Sequence, residues 1–130
     1  MNTENIKTKF KEYISGIAGK YKHEATSEYG YRTEFEILMK EIFQEIGVKR
    51  IDHDAKSFKG NKPDYVIFTE VPILYIEVKD VGVSLDKIEK SDQMSRYFGY
   101  DNLILSDYVE FRFYRNGERY EEPIKIAEFD

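Results

Sequence analysis

A chain of 130 residues that is 41% hydrophobic, with eleven Tyr and nine Phe, carries enough apolar surface for one real core. That excludes a disordered segment despite 35% charged residues, and the absence of cysteine excludes disulfides, a thiolate nucleophile and a Cys-type zinc site. A net charge of −5 lowers the expectation of nucleic-acid binding without excluding it, because a bound metal ion can supply the positive charge that phosphates need. No apolar run approaches the roughly 20 residues of a membrane span. The opening MNTENIKTKFKEY lacks a signal-peptide core. The expectation is a cytoplasmic protein.

In chain order, Ile6, Phe10, Tyr13, Ile14 and Ile17 recur at helical spacing and predict a helix over 3–18, ended by Gly19. Residues 20–30 are polar and read as a loop or helix entry. The clearest helix is 31–46, where Phe35, Leu38, Met39, Ile42, Phe43 and Ile46 form one stripe and Gly47 stands at the left-handed cap position. Val48 to His53 is a short strand candidate, followed by a Lys/Gly/Asn loop over 56–62. Asp64 to Thr69 and Ile73 to Lys79 are β-rich runs joined by Glu70-Val71-Pro72, which favours an antiparallel hairpin. Ser84 can cap a helix over roughly 85–98, closed by Gly99. Leu103 to Leu105, Val109 to Tyr114 and Arg119 to Ile126 read as three further strands, the last two joined by an Asn116-Gly117 turn. The order α-α-β-β-β-α-β-β-β implies an α/β or α+β domain, with a mixed central sheet flanked by helices.

The spacing that carries chemistry is Pro63-Asp64, twelve residues, then Glu77-Val78-Lys79. Alternate strand residues share a face, so Glu77 and Lys79 point together with Tyr75 and Ile73 behind them, while Leu74, Ile76 and Val78 are free to be core. Buried charge is costly unless paired or metal-bound. Two carboxylates suit Mg²⁺ or Mn²⁺, and a lysine beside them can stay charged and hold or activate a water. Taken singly, Glu-x-Lys on a strand reads as a surface ion pair and Pro-Asp as a turn dipeptide. Their combination on adjacent strands points to a site.

Gln93 and Tyr97 stand at i, i+4 on the following helix and share a face, with Arg96 adjacent; Met94 and Phe98 read as core. Glu28 and Arg32 lie one turn apart ahead of the apolar stripe, readable either as a helix ion pair or as the source of an extra acid, for which Glu34 and Glu36 compete. His23 and His53 have no second ligand at metal spacing and read as solvent-facing. No phosphate-binding glycine loop or nucleophile elbow occurs.

The pattern resembles the PD-(D/E)xK nuclease signature, and Gln93/Tyr97 looks like the QxxxY motif of one nuclease subset. Residues 28–117 resemble the nuclease domain at the N-terminus of large bacterial restriction-modification polypeptides, most specifically over 75–117. The resemblance implies a restriction endonuclease-like core and Mg²⁺-dependent hydrolysis of DNA phosphodiesters, with Mn²⁺ able to substitute. Asp64 and Glu77 would bind the metal, joined by the Val78 carbonyl and by Glu28 from the first core helix. Lys79 would orient or deprotonate the attacking water and stabilise charge on the phosphate; Gln93 and Tyr97 would help position DNA or water. Residues 49–62, with Lys49, Arg50, Lys56, Lys59 and Lys62 against Asp52 and Asp54, read either as a contact to the DNA backbone or as a solvated loop. Residues 1–130 would form a single nuclease domain, the N-terminal part of a longer polypeptide with methyltransferase and target-recognition partners. The family shows Pro or a small residue after Tyr-Arg, where this chain has Thr33-Glu34, so the choice among Glu28, Glu34 and Glu36 stays open. The alternative is a non-cleaving nucleic-acid-binding or interaction module of the same fold.

Overall fold

A computed structural model describes residues 3–21, 28–53, 63–80 and 83–126. Two helices come first, α1 (Thr3–Tyr21) and α2 (Glu28–Glu45), then strands β1 (Arg50–His53), β2 (Tyr65–Phe68) and β3 (Pro72–Val78). Two short helices, α3 (Leu85–Glu89) and α4 (Asp92–Tyr97), lead to β4 (Asn102–Ser106), β5 (Glu110–Arg115), β6 (Glu118–Arg119) and β7 (Ile124–Lys125). The strands form one sheet in the order β1-β2-β3-β4-β5-β6, with β7 also beside β5. Only β3 and β4 pair in parallel; every other described pairing is antiparallel. This is the mixed central sheet flanked by helices that the element order implied. A parallel pair needs a crossover, and α3–α4 supplies it.

Strand alternation divides the interior. Tyr65, Ile67, Ile76 and Val78 pack with Tyr13, Ile17, Phe35, Leu38 and Met39 of α1 and α2. Val66, Tyr75, Leu103, Leu105 and Tyr114 pack on the other face with Leu85, Met94 and Tyr97 of α3 and α4. The α2 stripe is buried through Met39 and half-buried at Ile42 and Phe43, but Ile46, in the turn just past the helix end at Glu45, is exposed. Among the described residues no helix is long and apolar enough to cross a membrane.

Four expectations are corrected. Helix α1 runs through Gly19 to Tyr21, and α2 begins at Glu28 rather than Tyr31. The helix expected over 85–98 is two. The Ser91 hydroxyl donates to Ile88 O (2.6 Å) and accepts from Met94 N (3.2 Å), closing α3 and capping α4 with a side chain that competes for backbone groups. The strand expected over 119–126 is split into β6 and β7, both paired to β5. Pro123 lies between them and cannot donate to a ladder. The Asn116-Gly117 turn is as expected: both residues have positive φ (51° and 84°), as a two-residue type I′ hairpin requires.

Candidate active site

The β2–β3 hairpin and the parallel β3–β4 pair bring the acidic residues together. Asp64 lies one residue before β2, behind the buried Pro63, and Glu77 is the penultimate residue of β3. The antiparallel register, with Tyr65 opposite Ile76, sets the two acids side by side. Asp64 N donates to Glu77 Oε1 (3.3 Å), and Val78 N donates to Asp64 Oδ2 (2.9 Å). Lys79 follows β3 directly, with its backbone N–H held by Ser106 O at the end of β4 (2.8 Å).

Alternation aims Glu77 and Lys79 at the α4 side. Lys79 Nζ stands 3.4 Å from Glu77 Oε2 and donates to Gln93 Oε1 at 2.9 Å. Gln93 Nε2 reaches the Tyr97 hydroxyl at 3.5 Å. Tyr97 is buried, and its ring packs near Tyr100, which stacks on Tyr75 at 4.0 Å and 12°. The i, i+4 pair on α4 is thus in line behind Lys79, with Gln93 in contact and Tyr97 one step further back.

Glu77 is only 4% exposed. Burial, then the hydrogen bond and charge of Asp64, push its carboxyl up to about 8, with Lys79 pulling the other way. Two carboxylates this close, one of them buried, store an unfavourable interaction that a cation between them would relieve.

The structure adds a member that the sequence reading had paired differently. Arg32 on α2 places Nη2 3.1 Å from Asp64 Oδ1, with both side chains largely shielded, and its guanidinium lies 5.6 Å from the Tyr65 ring centroid. Burial opposes the charge of Arg32, but Tyr65, Asp64 and Tyr108 outweigh it and hold the group protonated. Glu28 opens α2 one turn before Arg32, and its side chain lies outside the described residues. Glu34 packs against Gly16 of α1, where a Cβ would meet its Oε2 at 2.6 Å, and Glu36 accepts from the Tyr65 hydroxyl (3.0 Å). Among the described residues no group of three or more Asp, Glu, His or Cys side chains is arranged to hold a metal ion.

No protein-family model and no curated protein matches the chain. Its fold matches solved structures. One is a chain of a cryo-EM structure of a DrdV–DNA complex, superposing with a TM-score of 0.72 at 23% identity over 95% of this chain. This chain spans 12% of the length of that one. At such identity the likeness is one of fold, and at that level the expectation of a restriction endonuclease-like core holds.

Of the basic stretch 49–62, the exposed Lys49 pairs with exposed Glu70, and the exposed Arg50 with half-buried Asp52. Lys56, Lys59 and Lys62 lie outside the described residues, as do His23 and the His53 side chain. Sequence reasoning separated the strands on either side of the turn after β4 but gave Tyr108 in it no role. Tyr108 there has φ 79°, is fully buried, and packs against Tyr31 and Phe35 beside Arg32. The polar pair Ser106-Asp107 between two apolar runs was the one available signal of that turn.

Proposed function

We propose that the chain is a metal-dependent DNA endonuclease domain of a restriction-modification system, acting in the cytoplasm as one part of a longer polypeptide. The observation that carries this reading is the joining of Asp64, Glu77, Lys79 and Gln93 at one sheet end through hydrogen bonds and an ion pair. The fold shared with a chain from a DNA complex supports DNA as the partner.

The donor set fits Mg²⁺, with Mn²⁺ as substitute. Asp64 and Glu77 offer hard oxygens at the end of a strand pair, and Mg²⁺ is ordinarily held by one or two carboxylates, with waters and substrate phosphate completing its shell. Asp64 and Glu77 would hold the ion, joined by the Val78 carbonyl and by Glu28. When bound, the ion would stabilise transition-state charge and acidify the attacking water. Gln93 accepts a hydrogen bond from Lys79 Nζ and Glu77 pairs with it at 3.4 Å, which would hold the ammonium toward the attacking water or a phosphate oxygen. Gln93 keeps Nζ from collapsing fully onto Glu77, and Tyr97 braces Gln93 from the core.

Supercoiled plasmid incubated with the chain and Mg²⁺ or Mn²⁺, beside Asp64→Ala and Lys79→Ala, tests the reading. Nicking or linearisation by the unaltered chain alone is expected; equal cleavage by all three rejects the site. Salt-sensitive DNA retention without any cleavage would instead favour the non-cleaving binding module.

A further inference from the structure

Arg32 reaches Asp64 from α2, and Tyr108 lies beside Arg32. The Asp64 carboxylate is held at both oxygens, Oδ2 by Val78 N (2.9 Å) and Oδ1 by Arg32 Nη2 (3.1 Å). A carboxylate fixed at one oxygen can still rotate; one fixed from two elements, β3 and α2, keeps its orientation before any ligand arrives. Arg32 is itself fixed, over the Tyr65 ring and against Tyr108.

The backbone around Tyr108 is costly to make. A tyrosine at φ 79° occupies the left-handed region, which bulky residues rarely adopt. The turn is stapled into that shape: Ser106 Oγ accepts from Tyr108 N (3.0 Å), Asp107 Oδ1 accepts from Val109 N and Glu110 N (3.2 and 2.8 Å), and the Tyr13 hydroxyl donates to Tyr108 O. The same turn holds Lys79 through Ser106 O. Strain of this kind persists where the surroundings over-determine it, and here it holds a buried tyrosine next to Arg32.

We propose that Arg32 is a positioning residue for Asp64, holding its carboxylate in the orientation in which it ligates the metal, and that the Ser106–Tyr108 turn keeps Arg32 in place. The proposal deepens the nuclease reading and rests on it. Groups that orient a metal's ligands are as much part of a site as the ligands, and their removal weakens metal binding about 10–100-fold. The guanidinium's charge alone would oppose a nearby cation, so the two roles predict opposite signs.

The test is calorimetric Mn²⁺ titration of the full chain without DNA, for the unaltered protein, Arg32→Met, Arg32→Lys and Tyr108→Phe, each first checked for a cooperative thermal melt. Arg32→Met should bind Mn²⁺ roughly 10–100-fold more weakly, with Arg32→Lys and Tyr108→Phe between it and the unaltered chain. Affinity that is unchanged or tighter in Arg32→Met overturns the proposal and leaves the nuclease reading standing. Should Arg32→Met fail to melt cooperatively, Arg32→Lys decides: a loss of about threefold or more supports the role, and unchanged affinity overturns it. Full affinity in Tyr108→Phe removes the turn from the proposal. No Mn²⁺ binding by the unaltered chain overturns the metal reading, and this inference with it.

Discussion

Replacing Glu77 by Gln should stabilise the metal-free protein while abolishing its activity. The carboxyl is 4% exposed and sits near 8 in the folded chain, against an ordinary value of 4.5. Its folded value lies above its unfolded one, so ionisation opposes folding. The penalty is absent in acid, grows as pH rises through this interval at about 1.4 kcal/mol per pH unit, and is constant above it. The ceiling at pH 8 is then roughly 4–5 kcal/mol. Glutamine still accepts from Asp64 N but gives up the attraction to Lys79, which leaves an expected gain of roughly 2–4 kcal/mol. Urea unfolding in EDTA at pH 8 and pH 5 measures it. The variant should be the more stable protein at pH 8, with the gap largely closed at pH 5. Excess Mn²⁺ should narrow the gap at pH 8, since it stabilises the form that binds it. A Glu77→Gln protein no more stable than the unaltered chain at pH 8, or a gap of equal size at pH 5, would refute the reasoning.

Other perturbations separate catalytic from structural parts. Gln93→Ala should slow plasmid nicking about 10–100-fold by loosening Lys79, with DNA retention unchanged; equal nicking would detach Gln93 from the site. Glu89 is bound by Arg119 at both oxygens (2.9 and 2.7 Å), by Arg112 (3.4 Å) and by the Tyr114 hydroxyl. Burial works to raise its carboxyl, but these partners outweigh it and leave it below the ordinary range. Its contribution is therefore present above the unfolded value and lost as pH falls through the folded one. Glu89→Gln should cost roughly 1–3 kcal/mol at pH 7, a difference that shrinks below pH 4; a constant difference would contradict this. At Gly117 (φ 84°) a Cβ would sit 3.3 Å from Phe98 O, whereas at Gly47 (φ 85°) it would meet nothing within 4 Å. Alanine at Gly47 should cost about 1–2 kcal/mol for the backbone alone, and at Gly117 measurably more in the same denaturant titration; equal costs would dispose of the contact argument.

What the sequence disclosed follows from how local each signal is. The Asp64–Glu77–Lys79 grouping was legible because strand alternation and a short connection fix relative positions without knowledge of the rest of the chain. Gln93 and Tyr97 were legible as a shared helix face, although only the structure sets Tyr97 in the core. The Asn116-Gly117 hairpin followed from two residues that tolerate positive φ. The break at Ser91 was missed although residues 89–93 are all polar, because Ser84 and Gly99 read as the two ends of one helix. Arg32 was read with Glu28, four residues away, because local pairing is all a single sequence offers; its described partner Asp64 is 32 positions distant. Tyr108 gave no signal, since nothing in an isolated aromatic residue declares a left-handed backbone or a neighbour on another helix.

The most direct measurement of the central claim separates metal binding from cleavage at Lys79. The account makes Asp64 and Glu77 the metal ligands and Lys79 the group that acts on water and phosphate. Lys79→Ala should therefore bind Mn²⁺ at least as tightly as the unaltered chain in calorimetric titration, while its nicking of supercoiled plasmid in Mn²⁺ falls by about 100-fold or more. A Lys79→Ala chain that binds Mn²⁺ and nicks plasmid at the unaltered rate would contradict the account.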